Sequence, residues 1–196
     1  MRKQPQQQRS RELVSRLVDA TAQAITVCGL DGFTTQHVAE FAEVSVGSLY
    51  QYFDSKEDLI EALLERVSMD LANGLNHLVL SKTIELGEMV QLAIRFGFDF
   101  LKADQGLAAE LVKNWHKLPA KNFIMVLQNT LLDFMRMYLL KNPLSVQPER
   151  LHVRSYIIAN ALVFTMIRAL SEPSPFISEQ DLSAELELMV MSYLQS

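Results

Sequence analysis

The sequence is poor in the residues that would indicate a disulfide scaffold, a β-rich fold or a membrane span. Its single cysteine, Cys28, excludes a disulfide framework and a cysteine-based zinc site. Seven glycines and six prolines are too few for a collagen-like, linker-rich or turn-dense all-β chain. The longest uncharged apolar run, residues 155–167, is shorter than the roughly 20 residues of a membrane span. The basic start has no apolar block behind it, so we expect a cytoplasmic protein without a signal peptide.

The residues that are abundant favour a globular, helical protein. Apolar residues make up 49% of the chain and charged residues 21%, which is typical of a chain that buries a core. Leu, Ala, Glu, Gln, Met and Lys dominate, and these are good helix formers. Helical spacing of apolar residues predicts an all-α protein with about nine helices, at residues 10–27, 36–42, 46–52, 56–80, 83–103, 107–117, 120–141, 148–170 and 179–194.

These helices are predicted to form a small N-terminal domain and a larger bundle. Residues 1–8 are rich in Gln and lack apolar spacing, so they are predicted to be a disordered basic arm. Residues 9–54 are predicted to form a three-helix domain, and residues 55–196 the larger bundle. Residues 1–16 carry five basic side chains against Glu12 alone, a net charge of +4 that leaves −9 on the rest. A basic arm of this kind can bind a polyanion. The alternative interpretation is that the arm is a solvated tail.

The segment 34–57 contains two short predicted helices separated by a tight turn. A threonine at 34 or 35 can cap the first helix, and Ser45 can cap the second. The apolar residues between them are spaced to pack on one another and on the first long helix; they are Val38, Ala39, Ala42, Val44, Leu49 and Phe53. This arrangement is typical of a helix-turn-helix, in which the second short helix enters the major groove of DNA.

The outer side of the second short helix carries small or hydrogen-bonding groups without net charge. Ser and Gln side chains can read base edges, and Val46 can touch a thymine methyl group. Tyr50, Tyr52 and Lys56 can reach phosphates, and a helix start at Thr34 offers backbone N–H groups to another phosphate. The predicted DNA contacts are therefore Thr34, Thr35, Ser45, Val46, Gly47, Ser48, Tyr50, Gln51, Tyr52 and Lys56.

Residues 9–65 resemble the TetR family of bacterial transcriptional repressors. The resemblance rests on Arg11, Gly29, residues 33–35, Val38-Ala39 and above all the sixteen consecutive residues 44–59. It implies operator binding by the first three helices, with Arg11 among the DNA contacts. It further implies homodimerisation through the last two helices, and a small-molecule pocket whose occupation moves the DNA-binding units apart. The chain departs from the family at Glu43, where the turn usually has glycine and a positive φ is expected.

The larger bundle contains more aromatic and methionine residues than its core strictly needs. A cavity for an apolar or aromatic effector is one interpretation, with Met supplying adaptable walls, and ordinary core packing is the other. The candidate ligand-binding residues are Phe96, Phe100, Trp115, His116, Phe123, Phe134 and Tyr138.

The predicted eighth helix is apolar on nearly every side between residues 156 and 170. Such a helix must be buried all round, either in a monomer or between two chains. With the last helix it is predicted to form a dimer interface that includes Tyr156, Asn160, Val163, Phe164, Ile167, Leu186, Met189 and Tyr193.

No motif indicates an enzyme, a metal or a cofactor. Glu149 and His152 form one E-x-x-H pair, whereas a di-iron bundle needs two such pairs and further glutamates. A nucleophile elbow and a phosphate loop are both missing from the sequence. An enzyme built on a helical bundle and a protein-binding adaptor are the alternatives considered. The sequence predicts a homodimeric repressor that binds a palindromic operator, is released by an apolar or aromatic effector, and does not bind membranes.

Overall fold

A computed structural model describes residues 4–81, 85–103, 107–118, 120–141 and 150–195. The described residues contain no strand, and they form nine α-helices: α1 Gln4–Gly32, α2 Thr35–Phe41, α3 Val46–Leu49, α4 Lys56–Ser81, α5 Leu86–Ala103, α6 Leu107–Lys113, α7 Ala120–Lys141, α8 Leu151–Ser171 and α9 Glu179–Gln195. A short 3-10 turn, Trp115–Lys117, lies between α6 and α7. The predicted all-α fold is confirmed.

The start of α1 differs from the prediction. The helix begins at Gln4, so residues 4–8 are helical and their predicted disorder was wrong; residues 1–3 lie outside the described part. The prediction relied on the missing apolar spacing, but glutamine is a good helix former and needs no core contact to extend an existing helix. The Gln8 side chain also donates to Oε1 of Glu12 at 3.0 Å, a stabilising pair one turn apart.

Helix α1 is interrupted near its end. Gly29 has φ 74° and ψ 162°, a conformation that side chains other than glycine rarely adopt. The following residues return to helical hydrogen bonding, since the Phe33 amide donates to the Gly29 carbonyl at 3.1 Å. Leu30 and Phe33 are both buried, so the interruption directs two apolar side chains into the core.

The chain folds into two compact units. The first comprises the described residues up to Val67 together with 107–118 and Ala120, and the second comprises those from Ser68 to 103 and from 121 onward. These units differ from the predicted domains 9–54 and 55–196, because the first half of α4 and all of α6 pack with the first unit. Sequence periodicity places helices but does not reveal which unit a short helix joins.

Each unit has its own apolar core. In the first unit, fully buried side chains come from the first four helices and the connection after α1; they include Leu17, Ile25, Phe33, Val38, Leu49, Leu59 and Leu63. In the second unit α5, α8 and α9 enclose a cluster that includes Ile94, Phe98, Ile158, Leu162, Leu186 and Val190. A second cluster joins Leu75, Met89 and Phe134 from α4, α5 and α7.

The turn between α2 and α3 has the backbone that the sequence predicts. Glu43 has φ 55°, in the left-handed region that glycine tolerates best. The Val44 amide closes the turn by donating to the Ala39 carbonyl at 2.9 Å. The turn therefore keeps its geometry at the cost of strain in a non-glycine residue.

Two helices in the described part are long and apolar enough to cross a membrane, which the sequence criterion did not predict. They are Gln8–Gly32 and His152–Ser171. The criterion required an uncharged run, whereas these segments tolerate isolated charges such as Asp19 and Arg154. Both helices also contribute buried side chains to a core, and core helices of globular proteins commonly reach the same length and composition.

Replacing Glu43 with glycine is expected to raise the free energy of unfolding. Relief of the left-handed strain outweighs the extra freedom of glycine in the unfolded chain, for a net gain of about 0.5–1 kcal/mol. The matched control is Glu40→Gly inside α2. It is expected to lower the free energy of unfolding by about 1 kcal/mol. Urea unfolding measures both, and destabilisation by Glu43→Gly would contradict the strain assigned to the turn.

Candidate nucleic-acid interface and ligand cavity

Both short helices of the predicted helix-turn-helix begin at side-chain caps. Thr34, rather than Thr35, caps α2, because its Oγ1 accepts a hydrogen bond from the His37 amide at 3.3 Å. Ser45 caps α3, and its Oγ accepts from the Ser48 amide at 3.0 Å. Helix α3 ends at Leu49, three residues earlier than predicted, and the chain continues through a turn that holds Tyr50 and Gln51.

The predicted DNA contacts keep accessible surface. Arg11, Thr34, Ser45, Gly47, Tyr50, Gln51 and Tyr52 are exposed, and Thr35, Val46, Ser48 and Lys56 are half-buried. Tyr50 is 49% exposed, whereas the neighbouring Leu49 is fully buried. The alternation shows that Leu49 anchors this segment to the core while Tyr50 faces outward.

Hydroxyl groups on this surface hold one another in place. The Oγ atoms of Ser45 and Ser48 lie 2.8 Å apart and share a hydrogen bond. The Tyr50 hydroxyl lies 3.3 Å from Oγ1 of Thr35, which links the end of α3 to the first turn of α2. These bonds fix the side chains before any ligand arrives, which reduces the entropy that binding must remove.

Lys56 has a structural contact that the sequence did not predict. Its Nζ donates to the carbonyl oxygen of Leu30 at 2.9 Å and lies 3.5 Å from that of Asp31. The same ammonium sits 4.1 Å from the centre of the Phe33 ring, in cation–π geometry. Lys56 therefore caps the carbonyl end of α1 and ties it to the start of α4.

Helix α6 and the 3-10 turn that follows it contribute further contacts to the same end of α1. Oε1 of Glu110 accepts from the Leu30 amide at 2.9 Å, and Nζ of Lys117 lies 2.6 Å from Oδ2 of Asp31. The hydrogen bond and charge of Lys117 lower the pKa of the Asp31 carboxyl below its ordinary value. Sequence reasoning missed these residues because each contact spans 80 or more positions and carries no local signal.

The predicted ligand-binding residues are divided between the two units. Trp115 and His116 belong to the first unit, whereas Phe96, Phe100 and Phe134 belong to the second. Phe96 and Phe100 pack on each other with ring centroids 5.8 Å apart. The side chains of Phe123 and Tyr138 lie outside the described residues. The prediction grouped these residues by type along the sequence, which does not determine where their helices pack.

A cavity of about 50 Å³ lies inside the second unit. Four helices, α5, α7, α8 and α9, supply its walls. Of the predicted ligand-binding residues with described side chains, it includes Phe134 alone. The lining is entirely apolar and consists of Leu86, Met89, Val90, Ala93, Ile94, Leu131, Phe134, Met135, Ile158, Leu162, Val190 and Leu194.

The predicted dimer residues separate into an inner and an outer group. Val163, Ile167 and Leu186 are buried within the second unit, so their assignment to an interface between chains was wrong. Tyr156, Phe164 and Met189 are exposed, and Asn160 and Tyr193 are half-buried. Exposed apolar residues that the prediction missed are Val153, Ile157 and Leu188. Because α8 is apolar on both sides, its sequence pattern could not distinguish the two faces.

The described residues do not assemble the other candidate sites, which are a metal site and a cysteine site. No group of three or more His, Cys, Asp or Glu side chains in the described part could hold a metal ion. Glu149 of the E-x-x-H pair lies outside that part, and His152 is exposed. Cys28 is half-buried, and its thiol forms no disulfide.

Sequence comparison identifies the N-terminal segment. Residues 17–63 match the sequence model of the family described as bacterial regulatory proteins, tetR family. The HTH-type transcriptional regulator BetI of Burkholderia lata is 30% identical over 101 residues, covering 52% of this chain and 50% of that protein. The chain thus spans about half the length of the curated relatives it matches. The predicted resemblance of the N-terminal segment to this family is confirmed.

Solved structures share the fold across nearly the whole chain. A tetR-family transcriptional regulator from Streptomyces coelicolor has a TM-score of 0.70 at 18% identity and covers 93% of this chain and 80% of its own. The regulator FadR of Bacillus subtilis, in complex with stearoyl-CoA, has a TM-score of 0.64 at 17% identity and covers 92% and 99%. At these identities the similarity establishes the fold alone.

Proposed function

We propose that this chain is a regulator of the TetR family, whose sequence model matches residues 17–63, and that it represses transcription by binding a palindromic operator as a homodimer. The observation that carries the proposal is the α2–turn–α3 segment, where Leu49 is anchored in the core and Tyr50 is exposed beside it. A short helix fixed in this way can enter the major groove while α2 braces it. Occupation of the cavity in the second unit would then release the operator.

The chemistry of the α3 surface suits both parts of DNA recognition. Val46 and the exposed amide of Gln51 offer contacts to a thymine methyl group and to base edges. Tyr50 and Tyr52 offer hydroxyls to phosphates, which position the protein without reading sequence. The basic residues near the start of α1, including exposed Arg11, add favourable charge in a chain whose net charge is −5.

An exposed apolar face on α8 and α9 supports the homodimer. The exposed apolar residues of these two helices are Val153, Tyr156, Ile157 and Phe164 on α8 and Leu188 and Met189 on α9. Large apolar side chains that are exposed close together commonly mark an interface in soluble proteins. A second copy of the chain presents the same face, and two such faces can pair around a twofold axis. A homodimer would carry two α3 helices, one for each half-site of a palindromic operator.

The effector is proposed to insert an uncharged hydrocarbon group into the cavity. A carboxylate or amine buried among the twelve apolar side chains would lack a partner and bear a large desolvation cost. Met89 and Met135 can adjust their rotamers, so the cavity can widen around a chain longer than its present volume holds. The complex of FadR with stearoyl-CoA supports acyl thioesters as the class to test first.

Replacing Tyr50 with alanine is expected to weaken operator binding by about tenfold or more, as loss of one good contact to the duplex predicts. The probe is a duplex that the wild-type protein selects from a random-sequence pool, and affinity is measured by fluorescence anisotropy. The control, Phe176→Ala, removes a ring that is 92% exposed in the α8–α9 connection and should leave affinity unchanged. Wild-type affinity of the Tyr50 variant would refute the recognition surface.

Replacing Leu188 with glutamate is expected to dissociate the dimer, because pairing would bury the new charge against an apolar face. Light scattering after gel filtration should change from a dimer toward the 22.3 kDa monomer, with a dissociation constant raised about 100-fold. The matched control is Leu140→Glu on α7, whose side chain is 83% exposed. A wild-type protein that is monomeric, or an unaltered Leu188 variant, would contradict the proposed interface.

Stearoyl-CoA is expected to release the selected duplex, whereas CoA without an acyl chain is not. Replacing Ala93 with phenylalanine fills the cavity and should remove the release while operator affinity in the absence of ligand stays near wild type. Anisotropy titrations with both ligands test this expectation. Equal release by CoA, or undiminished release from the filled variant, would place the effector elsewhere.

A further inference from the structure

One buried ring nitrogen in the first unit lacks a hydrogen-bond partner. It is Nδ1 of His37 in α2, and it is the one such side-chain nitrogen or oxygen atom among the described residues. The residue itself is half-buried, so part of the ring reaches the surface. Its other nitrogen, Nε2, is not buried and forms no hydrogen bond with the described residues. The imidazole is therefore held with Nδ1 inward and Nε2 accessible.

The buried nitrogen determines where the ring carries its proton. A neutral imidazole has one N–H donor and one bare nitrogen that can only accept a hydrogen bond. A buried N–H without an acceptor is rarer in proteins than a buried acceptor without a donor. In the neutral ring the proton therefore belongs on Nε2. His37 thus presents a hydrogen-bond donor, and not an acceptor, to a molecule that meets this surface.

The accessible donor lies on the first turn of α2. The His37 amide donates to Oγ1 of Thr34 at 3.3 Å, so this residue completes the side-chain cap of the helix. Side chains of an α-helix lean toward its N-terminus, which places the imidazole over the turn that carries Thr34 and Thr35. Oγ1 of Thr35 lies 3.3 Å from the Tyr50 hydroxyl. The ring therefore shares its turn with two of the predicted DNA contacts.

His37 stands where a capping box would have glutamate or glutamine. In the pattern S/T-x-x-E/Q, the fourth side chain accepts a hydrogen bond from the amide of the cap residue. Thr34 and His37 have that spacing, but Nδ1 of His37 has no hydrogen-bond partner. Helix α2 therefore lacks this second cap bond, and cap stabilisation does not account for a histidine at this position. Histidine also avoids the negative charge that glutamate would add to the surface.

We propose that Nε2 of His37 donates a hydrogen bond to a phosphate oxygen of the operator. In a helix-turn-helix the first helix crosses the DNA backbone while the second lies in the major groove, so a donor on α2 meets phosphates. Phosphate oxygens accept hydrogen bonds, which matches the accessible N–H. The contact positions the protein on the duplex without reading its sequence. This inference rests on the proposed function and adds a contact that the sequence did not predict.

Three variants of the full-length protein test the contact on the duplex that the wild type selects. His37→Ala should weaken binding about tenfold, the loss expected for one hydrogen bond to a charged group. His37→Gln and His37→Glu both complete the capping box, so both should raise the urea midpoint of unfolding. His37→Glu should nevertheless bind the duplex about tenfold more weakly than His37→Gln, because its charge faces a phosphate. The control His77→Ala removes an exposed histidine of α4 and should match the wild type in both measurements.

Modified duplexes identify the phosphate. A methylphosphonate linkage replaces one charged phosphate oxygen with a methyl group, and it is placed in turn at each position of each strand. At one position in each half-site the wild type should lose about tenfold in affinity, whereas His37→Ala should lose no further affinity because its contact is already missing. Nitrogen-15 NMR of the histidine rings in mildly alkaline buffer should show the proton of His37 on Nε2 in the free protein.

The outcomes distinguish this inference from the proposed function. A protein that selects no duplex contradicts the proposed function. If a duplex is selected, wild-type affinity of His37→Ala, or equal affinity of His37→Gln and His37→Glu, overturns the contact of His37 alone. The same conclusion follows if no phosphate shows the non-additive loss, or if NMR places the proton on Nδ1.

Discussion

The interruption of α1 at Gly29 is the constraint on which the first unit depends. A continuous helix would keep the Leu30 amide inside its own hydrogen-bond ladder and would carry Leu30 and Phe33 in other directions. With the interruption, both side chains are buried, and the backbone groups of residues 30 and 31 are satisfied by Lys56 and Glu110. The hydrogen bonds that Lys56 of α4 and Glu110 of α6 make with the end of α1 are thus made beside one glycine with a positive φ.

Features encoded by neighbouring residues could be predicted from the sequence. The caps at Thr34 and Ser45, the positive φ of Glu43 and most helix bounds depend on side chains within one turn of the backbone they affect. The buried residues of α2 and α3 were also predictable, because a short amphipathic helix has only one face to bury. The helix-turn-helix was therefore predictable almost in full.

Features that depend on distant residues could not be predicted. The apolar pattern of α8 is equally compatible with both of its faces, so buried Val163 and exposed Ile157 could not be told apart. Trp115 and Phe134 are similar in character but fold into different units. The roles of Lys56 and Glu110 arise from contacts with a single backbone segment far away in sequence. The aromatic and methionine residues indicated a ligand cavity, but the packing of the helices determines which residues line it.

The apolar side chains that line the cavity determine which property of a ligand the protein would recognise. Water inside it would find no hydrogen-bonding side chain among the twelve lining residues, so the space favours a dry state or an apolar guest. The cavity would then distinguish ligands by the length and width of their hydrocarbon group and not by their functional groups. Under the proposed function, the protein would respond to the total supply of an apolar chemical class, and its response threshold would change smoothly across a homologous series.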